Sequence, residues 1–259
     1  MSHPAVQHVL DWQGSDAADL CRRLEPALVA LAPRDLTEIY VVPQSALPGD
    51  EQRKVAGTWC EGYTSPWLTA ILRPYIPHWR GPAPLIVLND VASRKLAIAY
   101  GRTTFSDTSP EIFLYRIIDS AIHETAHCLA RERLFCNDPP PPGIEECIAA
   151  KLIADDLAPP SGAGAACPFS GHGPEFIRAA VHLTERARRL GFDTLGYGVA
   201  CGEDYAVSTL PAYRDALRPE LDALPSVSIP LLLTLPEPEP FTRLWLDDMQ
   251  AWNERNPTR

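Results

Sequence analysis

Residues 121–130 read AIHETAHCLA, and within them His123, Glu124 and His127 form an H-E-x-x-H run. On a helix, a four-residue step is a rotation of about 400° and a rise of about 6 Å, so the two imidazoles stand one above the other on one face. Imidazoles placed this way can converge on a single metal ion, and nitrogen donors of this kind suit zinc. Glu124 is offset from both histidines. Its carboxylate is suited to take a proton from an attacking water and to pass it on to a leaving amine. A Zn2+ ion held there lowers the pKa of that water and polarises a scissile carbonyl. The chemistry expected is metal-assisted hydrolysis of a peptide bond. Such a site needs a third protein ligand and an open fourth position.

Two residues compete for the third position. Glu146 lies in GIEECIAAKL, on the apolar face of a short predicted helix, where a buried carboxylate needs a partner and a metal would be one. The other is His172, in GHGPEF, immediately ahead of another predicted helix. The first placement resembles the gluzincins, the thermolysin and aminopeptidase group, which carry a glutamate ligand at about the spacing that separates His127 from Glu146. The second resembles, more closely, the SprT-like (Spartan-type) zinc metalloproteases, in which H-E-x-x-H on one helix is completed by the histidine of an H-G-P-E-F motif opening the next. The SprT-like resemblance covers residues 110–190. It implies His123, His127 and His172 as zinc ligands, Glu124 as general base and Phe176 as a packing aromatic. Two departures accompany it: residues 138–170 form an inserted segment, and no zinc ribbon follows. A metzincin is excluded, because Ala130 and Arg133 stand where glycine and histidine would be needed, and no methionine falls between Met1 and Met249. Tyr197 and Tyr205 are candidates to stabilise an oxyanion.

The elements that must position these residues are partly readable. Residues 16–32 predict a helix, with Leu20, Leu24, Leu28 and Leu31 on one face. TEIYVVP (37–43) and PLIVLND (84–90) read as strands, and KLAIAYGR (95–102) as a neighbour of the latter. Ser109 as N-cap and Pro110 at the first position open the H-E-x-x-H helix, expected over 110–135. The prolines of NDPPPPG end it. Residues 144–157 predict a second helix, 158–171 a loop, and 172–191 a third helix with Pro174 at its start and Gly191 at its end. His182, on that third helix, is expected at the surface. Beyond 191 the pattern weakens to a helical stretch near 211–224, a proline spacer and a short terminal helix. The expected architecture is α+β: a zincin-like domain over 1–223, with a small, mostly antiparallel sheet and an active-site helix, followed by a spacer and helix at 224–259. An edge of that sheet beside the active-site helix would let an extended peptide add as a strand.

Composition narrows the class. Hydrophobic residues make up 46% of 259, enough for a sizeable core. The seven cysteines are odd in number and contain no C-x-x-C pair, which fits free thiols in a reducing cytoplasm. No stretch approaches the ~20 apolar residues of a membrane span, and the first twenty residues lack the features of a secretory signal. A formal charge of −10 disfavours DNA as a partner, the only local support being Arg178, Arg186, Arg188 and Arg189. The expected partner is a protein or peptide substrate. Two alternatives stand beside the zinc endopeptidase: a zincin-fold binding or regulatory protein with little or no proteolysis, and a gluzincin that uses Glu146.

Overall fold

The computed structural model describes residues 2–14, 16–47, 62–64, 73–81, 83–90, 110–130, 173–192 and 210–255. Helix α1 spans Pro4–Leu10 and α2 spans Ala17–Leu31. The Asp16 carboxylate caps α2 by accepting from the Ala18 N–H at 2.9 Å. The four leucines expected on one face of α2 are all buried. Three short strands follow: β1 (Tyr40–Pro43), β2 (Gly62–Thr64) and β3 (Leu85–Leu88). The residue range expected for the first strand began three residues earlier.

The strands form one sheet in the order β1–β3–β2. β1 runs parallel to β3, with Tyr40 opposite Leu85 and Pro43 opposite Leu88. Among the described strands only the shorter β2 is antiparallel to β3. This corrects the expectation of a mostly antiparallel sheet. A parallel pair needs a long crossover rather than a hairpin. The long segment between β1 and β3 supplies it, and β2 lies within that crossover. The expected neighbour strand at 95–102 lies outside the described residues, as do the helix and loop expected over 144–171.

Side chains alternate across the sheet as the pleat requires. Val41, Ile86 and Leu88 join the main helical core, whereas Tyr40, Val42, Leu85 and Val87 enter a smaller cluster with Leu47 and Ile76. Glu25, on α2, accepts from the Val41 N–H at 3.1 Å and pairs with His78 at 2.8 Å, fixing β1 against α2.

Helix α3 (Pro110–Ala130) is the centre of the molecule. It packs over β2 and β3 and touches α2 and α4 (Pro174–Leu190). Ile117, Ile118, Ala121, Ile122 and Ala126 are buried, and so are Arg116, Asp119, Ser120 and Glu124. A helix covered on nearly all sides must find partners for its polar groups inside the protein. α4 ends at Gly191, whose φ of 105° is the left-handed conformation that favours glycine. At that end the His3 N–H donates to the Leu190 carbonyl at 2.9 Å.

Four further helices complete the described chain: α5 (Leu210–Ala216), α6 (Arg218–Ala223), α7 (Ile229–Leu232) and α8 (Glu239–Arg255). The terminal helix is longer than expected. Ile229, Leu232, Phe241 and Trp245 belong to the same hydrophobic core as α2, α3 and α4. The Ile229 N–H donates to Asp35 at 2.9 Å. The described residues thus form an α+β arrangement, and none of their helices is long and apolar enough to cross a membrane.

Candidate metal centre

His123 and His127 lie in the C-terminal half of α3, where both rings meet Phe176 of α4. Their Nε2 atoms are 3.2 Å apart, with ring centroids at 4.9 Å and an interplanar angle of 72°. Without metal, two neutral imidazoles at this distance share one proton, one Nε2–H donating to the other nitrogen. The same spacing suits a metal. Two nitrogens each ~2.0–2.1 Å from one tetrahedral zinc stand about 3.3–3.4 Å apart. The separation of the pair is thus close to that of two zinc ligands, with the same nitrogen on each ring.

Phe176, in the first turns of α4, covers both imidazoles. It stacks on His127 at 4.2 Å and 25°, and meets His123 edge-on at 4.8 Å and 62°. Phe176 is itself buried. An aromatic ring against both ligand candidates holds their side chains in place and excludes water from one side of the site. Gly173, with its extended φ of −67° and ψ of −176°, caps α4 and leads into Pro174 at the first position, where proline costs the helix no hydrogen bond.

Glu124 is 5% exposed, and His127 6%. Thr125 turns inward too, its hydroxyl donating to the Ala121 carbonyl at 2.7 Å. Among the described residues, no group of three His, Cys, Asp or Glu side chains converges on one point. Both candidates for the third position, Glu146 and His172, lie outside the described residues, and so do Tyr197 and Tyr205.

The polar groups elsewhere on α4 correct the sequence reading. His182, expected at the surface, is 1% exposed and bonds Glu220 at 2.9 Å through Nε2. Arg178, also 1% exposed, holds the same carboxylate with both arms of its fork, Nε reaching Oε1 at 3.0 Å and Nη2 reaching Oε2. Its guanidinium also donates to the carbonyls of Leu235 at 2.9 Å and Pro236 at 3.2 Å. Arg186 is buried as well, and donates to the carbonyls of Leu31 and Val227. The Glu220 partner is 42 residues from Arg178. No local pattern signals it, because a helical stripe identifies the apolar face and leaves charged residues assigned to solvent.

Two of the four arginines once available to DNA are therefore committed inward. A third, Arg189, lies 3.5 Å from Glu185 and 4.0 Å from Asp222. A basic patch does not form on this helix, and added DNA should leave any proteolysis unchanged. A cleavage rate that climbs with duplex or single-stranded DNA and collapses with salt would contradict this.

Set against protein-family models, curated proteins and solved structures, the chain matches none.

Proposed function

We propose that the protein is a zinc-dependent endopeptidase of zincin-like, SprT-like type, with His123, His127 and His172 as metal ligands and Glu124 as general base. The observation that carries the reading is the pair of Nε2 atoms 3.2 Å apart beneath Phe176. Phe176 also favours His172 over Glu146. The H-G-P-E-F run contains both residues 172 and 176, and its aromatic member already rests on the two imidazoles.

When bound, zinc would supply Lewis acidity to the substrate carbonyl and to the attacking water. The chain's own residues do the rest. His123 and His127 offer their nitrogens from a buried helix, so little side-chain freedom is lost when they bind. Phe176 keeps the rings in register. Glu124 receives the water proton on its carboxylate and returns it to the departing amine. Among the described strands β2 is an outer one, beside α3, and an edge at that place would suit an extended peptide entering by strand addition. The odd set of thiols without a C-x-x-C pair supports a cytoplasmic setting.

The test is metal content. His172→Ala should lose zinc and Glu146→Ala should keep it, measured on purified protein against wild type. The reverse pattern would make the protein a gluzincin. A wild-type protein without zinc would leave a binding or regulatory role in place of proteolysis.

A further inference from the structure

We propose that Glu220 is a positioning residue for the metal centre: through Arg178 and His182 it fixes the rotation of α4, and so holds Phe176 against His123 and His127. Its functional meaning rests on the metal-binding reading above, but the clamp itself can be tested without metal.

The argument begins with the helix. Arg178 follows Phe176 by two residues, about 200° around α4, and His182 by six, about 240° around. Phe176 therefore faces α3 while Arg178 and His182 face the far side. Residues 176–184 are all buried, so neither side of this part of α4 is in solvent. An apolar far side could pack in several rotational settings. A far side carrying a guanidinium and an imidazole cannot, because each must meet its one buried carboxylate. Turning α4 by one residue, about 100°, would carry Arg178 away from Glu220 and from the Leu235 and Pro236 carbonyls together. The network thus selects a single setting of α4, the one that seats Phe176 on both imidazoles. Glu220 acts on the site through its two partners on α4, Arg178 and His182.

The experiment uses the full chain and four proteins: wild type, Glu220→Gln, Glu220→Asp and Tyr213→Phe. Tyr213→Phe is the control, since it removes another buried hydrogen bond of the same C-terminal region, to Asp248 at 2.6 Å. Two readouts are taken at a temperature where each protein is folded by circular dichroism. One is zinc affinity by competition with a chromophoric chelator. The other, in chelator-treated protein, is the set of NOEs between the Phe176 ring and the two imidazoles. Glu220→Gln should weaken zinc binding about tenfold or more and diminish the NOEs. Glu220→Asp should recover part of both, and Tyr213→Phe should change neither. A Glu220→Gln protein that melts earlier but keeps its NOEs and its zinc affinity overturns the proposal. If wild type binds no zinc, the metal reading falls, and the NOEs alone decide the clamp: their loss supports it and their persistence overturns it. Should Glu220→Gln fail to fold, Arg178→Lys keeps the charge, loses the fork and is read in the same two ways.

Discussion

Glu124→Gln should reduce cleavage of unfolded casein by about 10²–10⁴-fold while leaving zinc content and the folded state unchanged. Glutamine has the shape of glutamate and can occupy the same buried position on α3, where Glu124 is 5% exposed. It cannot accept the proton of an attacking water. Glu124 is also not one of the two residues whose nitrogens face each other at 3.2 Å, so metal retention should not depend on it. Casein hydrolysis with and without a chelator, with metal analysis on the same preparation, separates the roles. Unchanged cleavage would remove Glu124 as the base. Loss of zinc along with cleavage would make it a ligand or a structural residue instead.

Arg178→Met should destabilise the protein by about 3–5 kcal/mol. The change leaves the Glu220 carboxylate buried beside His182 alone and takes donors from two carbonyls. The double replacement Arg178→Met/Glu220→Leu should recover at least half of that loss, because an apolar pair no longer carries an uncompensated charge. Urea denaturation of the two single mutants and the double mutant gives the coupling directly. Independent, additive losses would show that the ion pair does not bind α4 to α6.

The same cluster makes stability depend on pH in a definite direction. Burial lowers the His182 pKa from its ordinary 6.5 and outweighs the pull of Glu220, with Arg186 and Arg178 lowering it further. Burial pushes Glu220 upward, but hydrogen bonds from His182 and Arg178 and the Arg178 charge outweigh it, holding the carboxyl below its ordinary 4.5. In both cases the unfolded chain binds the proton more readily than the folded one. The contribution of His182 is therefore complete above pH 6.5 and is lost as pH falls below it, and that of Glu220 is lost in turn below 4.5. Glu25, raised mainly by burial, acts in the opposite sense. Denaturation midpoints should fall on acidification from neutrality, and the Arg178→Met/Glu220→Leu background should flatten the lower part of that profile. A wild-type midpoint that holds steady from neutrality down to pH 4 would contradict this assignment.

What the sequence made legible was local. The leucine spacing located α2, Pro174 and Gly191 bracketed α4, and the H-E-x-x-H spacing placed two imidazoles on one face, where their nitrogens are in fact 3.2 Å apart. What it obscured was non-local. The pairing of β1 with β3 depends on a long crossover, and two apolar runs carry no direction. Arg178, His182 and Arg186 looked solvated because charge is normally outside. Their burial depends on Glu220 and on backbone carbonyls far along the chain, which no periodicity records. The sequence does not choose between His172 and Glu146 for the same reason: spacing along the chain limits which residues can meet and does not choose among them.

The hydrogen bonds that close the core also set a timetable. Arg186 reaches the Leu31 carbonyl across 155 residues, and Ile229 reaches Asp35 across 194. During synthesis at ~5–20 residues per second, Asp35 waits about 10–40 s before its partner has even been made. α2 packs early against α1 and β1, but its contacts with α3 and α4 wait until those helices have been made. A nascent chain waiting in this way is a natural client for chaperones. Refolding from denaturant should likewise be slow, limited by long-range closure rather than by helix formation.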